Sequence, residues 1–262
     1  MERTAKIPGR EGNVKDPDER TRGPVASGTP DLATPSSTSP PVLTLGIDTA
    51  TDVCAVALRD DDDLLFEAAI AVPRSHGTRL APLVGEAFAH VRRRPADLGL
   101  IAVTAGPGSY TGLRIGTSTA KGLALATGAA VVGVPSLRAL AASWTVAGPV
   151  CAVLPSRRGE VYAATYDGDR EVAAPAALAL GDVADWLPAS TAAIGGPGAD
   201  RLANLRPDLP RVPLAPSGAV VARLGRRIAE AEGPGDATTL EPLYLKPVAT
   251  SQPGGILRPS TL

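Results

Sequence analysis

Two successive stretches of the sequence begin in the same way, and this repetition limits the folds open to the chain. The first runs through "VLTLGID", "VCAVALRD" and "LLFEAAIAV", and the second through "VCAVLPS", "GEVYAATYDG" and "EVAAPAALAL". Short β-rich runs separated by Gly, Asp or Pro predict hairpin-like antiparallel strands. Each set continues into helix and strand patterns, so the sequence predicts an α/β fold made of two duplicated lobes.

The repetition divides the chain into three parts. Residues 1–41 mix Pro, Gly, Ser, Thr and scattered charges without a periodic apolar pattern, which predicts a disordered N-terminal extension. Residues 42–147 read β-β-β-α-β-α-β-α and form the predicted N-terminal lobe. A Gly-Pro step at residues 148 and 149 opens the predicted C-terminal lobe, residues 148–262, which ends in a loose tail.

Three helices and one acidic turn are predicted with defined positions. Apolar residues recur at i, i+3 and i+4 from Ser75 to Val91, which predicts an amphipathic helix with Pro82 near its first turn. A helix rich in small residues is predicted over 113–127, and another begins after the N-cap Ser217. The four aspartates at 60–63 predict a solvated hairpin tip rather than a cation site.

Composition excludes several classes of function. The net charge of −1 lacks the basic excess of proteins that hold nucleic acid alone, so any RNA is expected to be held by a partner. No apolar run approaches the ~20 residues of a transmembrane helix, and Cys54 and Cys151 lie in apolar runs, which favours a reducing cytoplasm. The two histidines, His76 and His90, are expected to be surface or helix-capping residues.

The stretch "AGPGSYTGLRIG", residues 105–116, follows the apolar strand "LGLIAV" and leads into the second helix. Gly106 and Gly108 flank Pro107 and let the backbone turn, while Gly112 lies at the helix entry, so exposed amides there would suit a phosphate. The spacing is not that of a Rossmann turn, and no G-K-[ST] follows as in a P-loop. A phosphate-binding turn and a turn that only packs strand on helix therefore both remain open.

In their order along the chain, "GIDTATDVCAVAL", "SHGTRLAPLV", "AGPGSYTGLRIGTSTAKGLA", "VVGVPSLRALA", "RRGEVYAATY" and "EPLYLK" strongly resemble the bacterial TsaB (YeaZ) family. The resemblance covers nearly all of residues 42–248, although the family commonly has Phe where this chain has Tyr110. It implies a duplicated actin-like, Hsp70-like ATPase architecture of ribonuclease H-like lobes. It also implies a cytoplasmic accessory subunit of the machinery that makes threonylcarbamoyladenosine beside the anticodon of tRNAs reading codons that begin with A.

The same resemblance implies that the chain is not catalytic. The catalytic paralogue, TsaD, has an H-x-E-x-H metal motif, and the matching positions here are Ser136, Arg138 and Leu140, which cannot hold that metal. Compared with the phosphate hairpins of actin-like ATPases, Ala50 replaces a glycine and Pro155 replaces the usual family aspartate. No resident cofactor and no autonomous ATP hydrolysis are expected, with ATP or ADP bound at the interface with TsaD as the alternative.

Two sets of candidate site residues follow from the resemblance. A degenerate nucleotide-facing set consists of Asp48, Thr49, Gly106, Gly108, Ser109 and Arg157. The predicted interface with TsaD lies on the first two helices and consists of His76, Arg79, Leu80, Leu83, Leu113, Thr117, Ala120, Lys121 and Ala124. The alternative for the second set is that its small residues pack inside the lobe itself.

The implied partners are TsaD in a heterodimer, a TsaE-like ATPase reached through that complex, and tRNA only indirectly, with no membrane contact. A homodimer through the same helices is a further alternative. The rival functions are an actin-fold ATPase or kinase acting alone, which would need a carboxylate where Pro155 stands, and a metallopeptidase, which would need metal ligands that the sequence lacks.

Overall fold

The structure is a computed structural model that describes residues 42–71, 73, 75–243 and 245, so the predicted N-terminal extension lies outside the described residues. The described part of the chain contains ten strands and five α-helices. In chain order they are β1 (Leu43–Asp48), β2 (Val53–Asp60), β3 (Asp63–Ala71), α1 (His76–Val91), β4 (Leu98–Gly106), α2 (Tyr110–Thr127), β5 (Ala130–Pro135), α3 (Ser136–Ala141), β6 (Val150–Pro155), β7 (Glu160–Asp167), β8 (Arg170–Ala179), α4 (Val183–Trp186), β9 (Ala193–Gly195), β10 (Arg211–Val212) and α5 (Gly218–Glu232).

The strands form two five-stranded sheets with the same topology. The order is β3-β2-β1-β4-β5 in the first sheet and β8-β7-β6-β9-β10 in the second. In each sheet the first three strands along the chain pair antiparallel, and the last two run parallel to the central strand. Short turns allow the antiparallel pairs, whereas the parallel pairs need longer crossovers. This repeat confirms the predicted α/β fold with duplicated actin-like, ribonuclease H-like architecture.

The central strands of the first sheet are buried on both faces. Every residue of β1 is buried, and β4 is apolar along most of its length. Helices α1 and α2 cover one face through a core that includes Leu80, Phe88 and Ala120. The other face needs a second apolar cover, because a central strand of this kind cannot leave its side chains in water.

Helix α5 provides that second cover. It begins where the sequence predicts, with the Ser217 hydroxyl accepting the backbone N–H of Val220 over 3.1 Å. Its side chains Val221 and Leu224 join the core on the first sheet. Residues 148–262 were predicted as the C-terminal lobe, but α5, which lies within them, packs its apolar side on the first sheet.

Helix α3 makes the reciprocal contact. Leu137 and Leu140 pack in one core with Leu154 and Tyr166 of the second sheet, although α3 follows the last strand of the first sheet. The two halves of the chain thus exchange helices. The boundary predicted after residue 147 therefore separates the strands of the two sheets, but it does not separate the helices that pack on them.

Two local predictions need adjustment. Pro82 lies in the second turn of α1 rather than its first, at an exposed position. The aspartates at 60–63 do form a turn between β2 and β3, but Asp60 pairs with Arg93 at 3.0 Å and Asp61 pairs with Arg226. None of the described helices has the length and apolar composition needed to cross a bilayer.

Candidate functional site

The glycine turn connects β4 to α2 at the carboxyl edge of the first sheet. Gly106, the last residue of β4, has a φ of +120°, a conformation that favours glycine. The Ser109 hydroxyl accepts the backbone N–H of Gly112 over 3.2 Å and caps α2. The helix therefore begins at Tyr110, three residues before the predicted start. The prediction was late because it relied on the spacing of apolar residues, which does not show a polar cap.

Hydrogen bonds within the chain use several of the amides at this turn. The N–H of Gly106 donates to the Ser136 hydroxyl over 3.0 Å. The N–H of Ser109 donates to the carbonyl oxygen of Ala50 over 2.8 Å. A Cβ on Gly108 would lie 2.5 Å from that same oxygen. Glycine is required at 108 because the turn packs against the β1–β2 hairpin, which is the packing role that the sequence left open.

Polar groups at the start of the β1–β2 hairpin are also hydrogen-bonded within the chain. Asp48 is only 5% exposed, and its carboxylate accepts the N–H of Ala50 over 2.9 Å and the hydroxyl of Thr104 over 3.1 Å. The Thr49 N–H donates to the Thr104 oxygen over 3.2 Å. Burial raises the pKa of Asp48 and outweighs these hydrogen bonds, which lower it. The Asp48 carboxyl group therefore holds the β1–β2 hairpin through these two hydrogen bonds.

The nucleotide-facing set is thus only partly one site. Asp48, Thr49 and the three turn residues Gly106, Gly108 and Ser109 meet at the ends of β1 and β4. Arg157 lies instead in the turn between β6 and β7, where its carbonyl oxygen accepts from Arg201 over 3.3 Å. A phosphate requires convergent free donors, and the amides of residues 49, 50, 106, 109 and 112 all donate to this chain. These five amides are therefore already used within the chain.

The three positions aligned with the TsaD metal motif have other roles. The Ser136 hydroxyl supports Gly106, and Leu140 is buried in the core on the second sheet. Arg138 lies 3.8 Å from Asp169 in an ion pair. Within the described residues, no three His, Cys, Asp or Glu side chains come together as a metal site.

The predicted partner interface is mostly on the wrong side of its two helices. Six of its residues are buried inside this chain, and for the small ones this is the alternative of packing within the lobe: Leu80, Leu83, Leu113, Thr117, Ala120 and Ala124. Of the remaining three, Arg79 is exposed and Lys121 is half-buried. The reason is physical, since the apolar stripe of an amphipathic helix faces the nearest sheet.

His76, the last predicted interface residue, is also buried, at 4% exposure. Its Nε2 lies 3.4 Å from the carbonyl oxygen of Val53. It is therefore neither a surface nor an interface residue in the isolated chain. His90 is exposed as predicted, with its ring 5.6 Å from that of Phe66.

The two helices present a different set of residues to solvent, which we call the α1–α2 face. It consists of small residues four apart on α1 and mixed residues on α2: Gly77, Ala81, Gly85 and Ala89, with Tyr110, Arg114, Ser118, Gly122 and Leu125. Leu125 is 76% exposed and Tyr110 46%. A groove of about 540 Å³ runs between the helices and is lined by Gly77, Tyr110, Arg114 and Ser118 among others.

Arg114 and Tyr110 form the most ordered polar feature of this face. The guanidinium lies 5.3 Å from the centre of the Tyr110 ring, and its Nη1 donates to the Tyr110 hydroxyl over 2.7 Å. Sequence reasoning missed these residues because it followed the apolar positions. The usable signal was Leu125, an apolar residue on the polar side of an otherwise regular amphipathic helix.

A family model described as "TsaD: tRNA N6-adenosine threonylcarbamoyltransferase" matches residues 70–221. The tRNA threonylcarbamoyladenosine biosynthesis protein TsaB of Escherichia coli K12 is 38% identical over 128 residues, or 48% of this chain and 55% of that protein. The protein of the same name from Bacillus subtilis 168 is 35% identical over 147 residues, or 55% of this chain and 63% of that protein. The alignments thus span less than two thirds of these relatives.

A solved structure gives the wider comparison. YeaZ from Pseudomonas aeruginosa matches with a TM-score of 0.68 and 26% sequence identity, covering 78% of this chain and all of that one. The family model covers more than half of the 262 residues. The chain therefore belongs to the TsaD-like family that this model describes, and it is similar to TsaB (YeaZ) proteins.

Proposed function

We propose that this chain is a non-catalytic accessory subunit in the biosynthesis of threonylcarbamoyladenosine in tRNA. In this proposal it docks on TsaD and supports transfer of the threonylcarbamoyl group from its adenylate to the adenosine next to the anticodon, in tRNAs reading codons that begin with A. The observation that carries the non-catalytic part of the proposal is at the glycine turn, where the Ser109 N–H donates to the Ala50 carbonyl oxygen and is therefore not available to a phosphate.

The residues that replace the metal motif support the same conclusion. Leu140 offers no lone pair, and Arg138 would place a positive charge beside a metal cation. Both side chains already pack or pair within this chain. The chemistry of transfer is therefore assigned to TsaD, and any ATP or ADP to the interface with TsaD rather than to the glycine turn.

The docking surface we propose is the α1–α2 face. Gly77, Ala81 and Gly85 leave little side chain between the backbone of α1 and an incoming helix, which favours close helix packing. The exposed Leu125 gives this face an apolar anchor whose burial would stabilise a complex. A second copy of the chain would compete for the same face.

The charge of the chain supports an indirect role in tRNA binding. With 26 Lys and Arg against 27 Asp and Glu, it has no cationic excess to hold tRNA phosphates. The tRNA is accordingly assigned to TsaD, and a TsaE-like ATPase is expected to act through the TsaD complex.

The test is a reconstitution with the full chain. The chain, its cognate TsaD, or both are incubated with tRNA and threonylcarbamoyladenylate, and modified adenosine is counted by mass spectrometry. The mass of the protein complex is measured in the same samples. We expect a mixed complex and modification that requires both proteins.

Three outcomes would contradict the proposal. Modification of tRNA by this chain alone would make it the transferase. Full modification by TsaD alone, with no mixed complex, would remove the accessory role. ATP turnover by this chain alone would restore the ATPase or kinase alternative and would mean that the glycine turn opens.

A further inference from the structure

A cavity of about 280 Å³ lies apart from the α1–α2 face, where the two halves of the chain meet. The end of α3, the segment that leads into β6, the β7–β8 turn and α5 surround it. The aromatic, polar and charged side chains in its wall are Trp144, Thr145, Tyr166, Asp169 and Arg223. None of these residues takes part in the glycine turn or in the proposed docking surface.

The surroundings of the cavity carry more cations than anions. Arg138 lies 3.8 Å from Asp169, and Arg227 pairs with the same carboxylate. Arg223 lines the cavity, and its one hydrogen bond within the described chain is a marginal 3.5 Å contact to the carbonyl oxygen of Ala142. Asp169 thus already serves two guanidinium groups and leaves Arg223 without a carboxylate.

Two polar groups beside the cavity make no hydrogen bond among the described residues. Tyr166 is 4% exposed, lines the cavity, and its hydroxyl makes no hydrogen bond there. The Nε of Arg138 is also buried without a partner. A polar group left in this state costs free energy unless something binds it. Burial, and the nearby charge of Glu171, raise the pKa of Tyr166 to about 12, so its hydroxyl is a donor at neutral pH.

Trp144 provides the apolar part of the wall. Its indole N–H is already used, since it donates to the carbonyl oxygen of Pro213 over 2.7 Å. The ring itself therefore offers surface for stacking or apolar contact. The wall thus combines the Trp144 ring, the Arg223 guanidinium and the Tyr166 hydroxyl with the Asp169 carboxylate, which is paired with Arg138 and Arg227.

We propose that this cavity binds a small organic anion whose phosphate or carboxylate group meets Arg223 and Tyr166 and whose apolar body contacts Trp144. A guanidinium matches either anionic group through paired N–H donors, so the two sources share one recognition chemistry. The site requires neither tRNA nor a partner protein, and it is independent of the proposed accessory function.

The test uses the fluorescence of Trp144. The chain has two tryptophans, so Trp186→Phe leaves Trp144 as the reporter. This variant is titrated with phenyl phosphate and with benzoate, and benzyl alcohol serves as a neutral probe of similar shape. Calorimetry on the unmodified chain checks each affinity. We expect saturable binding of at least one anion and none of the alcohol.

Three variants locate the site. Arg223→Gln should weaken anion binding roughly tenfold or more, because a charge-assisted hydrogen bond is lost. Tyr166→Phe should weaken it several-fold while leaving the free protein at least as stable, because its hydroxyl has no partner within the described chain. Arg158→Gln, at the opposite end of the β6–β7 hairpin, should bind like the parent.

Three outcomes would overturn the proposal. The absence of saturable binding by both anions means that the cavity is not an anion site. Equal binding of benzyl alcohol means that it is an apolar pocket. Equal losses of anion affinity in Arg223→Gln and Arg158→Gln mean that the anions respond to the net charge of the protein and do not bind at this cavity. If one anion alone binds, the result identifies phosphate or carboxylate as the ligand class.

Discussion

The backbone N–H of Ser109 donates to the carbonyl oxygen of Ala50 over 2.8 Å, and this contact closes the glycine turn onto the β1–β2 hairpin. Three glycines make the approach possible, since a Cβ on Gly108, Gly112 or Gly116 would collide with Thr49 or Ala50. A glycine pattern of the kind that cradles a phosphate has here become the packing surface between a helix and a hairpin.

The first prediction concerns Gly116 and Thr49. A Cβ on Gly116 would overlap Thr49 Oγ1, which is buried and has no partner within the described chain. Gly116→Ala should lower the free energy of unfolding by about 1–3 kcal/mol through overpacking. Thr49→Ala should be nearly neutral, and the double variant should recover most of the loss. Chemical denaturation measures all three.

Gly122→Ala is the control on the same helix. No atom lies within 4 Å of a Cβ at Gly122, so this change should stabilise the chain by up to about 1 kcal/mol, because alanine favours a helix. Equal effects of the two glycine substitutions, or no recovery in the double variant, would show that close contact with Thr49 is not what requires Gly116.

The second prediction concerns docking on TsaD. Leu125→Glu replaces the most exposed apolar side chain of the α1–α2 face by a charge and should weaken the complex roughly ten- to a hundredfold. Leu64→Glu is the matched control, since Leu64 is 48% exposed on β3, outside that face. Complex formation is measured by titration of labelled TsaD. Equal binding by the two variants would move the interface elsewhere.

The fold could be predicted from the sequence in more detail than the candidate site could. Continuous apolar residues predict strands such as β1 and β4. Ser217 predicts the start of a helix, because serine is a common N-cap residue. The interface could not be read in the same way, because hydrophobic periodicity identifies the side of a helix that faces its own core. Leu80 and Leu113 were therefore assigned to a partner although they pack on the first sheet. The exchange of α3 and α5 between the sheets depends on long-range packing, which no local pattern encodes.

The third prediction concerns the two thiols. Burial raises the pKa of Cys54 to about 11, with a contribution from Asp48, and burial raises that of Cys151 to about 12. Both side chains are fully buried, so neither should form the thiolate that attacks a disulfide reagent. At pH 8 the folded chain should release no chromophore from Ellman's reagent, and the unfolded chain should release two equivalents. Ser118→Cys, at an exposed position, should add one fast equivalent. Rapid labelling of the unmodified folded chain would contradict the burial of these thiols.

The last prediction concerns Asp48 and pH. Burial raises its pKa in the folded chain above the ordinary value of 3.8, so the folded state holds this proton to a higher pH than the unfolded state does. The stability that comes from the proton is present below about pH 4 and is lost as the pH rises through the raised pKa.

Asp48→Asn removes this dependence and keeps an oxygen that can accept from Ala50 and Thr104. Its free energy of unfolding relative to the parent should therefore increase between pH 4 and pH 7, whereas Asp48→Ala, which leaves both donors unpaired, should be less stable by about 1–3 kcal/mol or more at low pH. Urea denaturation across this range measures the difference, and a relative stability of Asp48→Asn that stays flat or falls with pH would mean that the carboxyl is already ionised at low pH, as a working metal-binding aspartate would be.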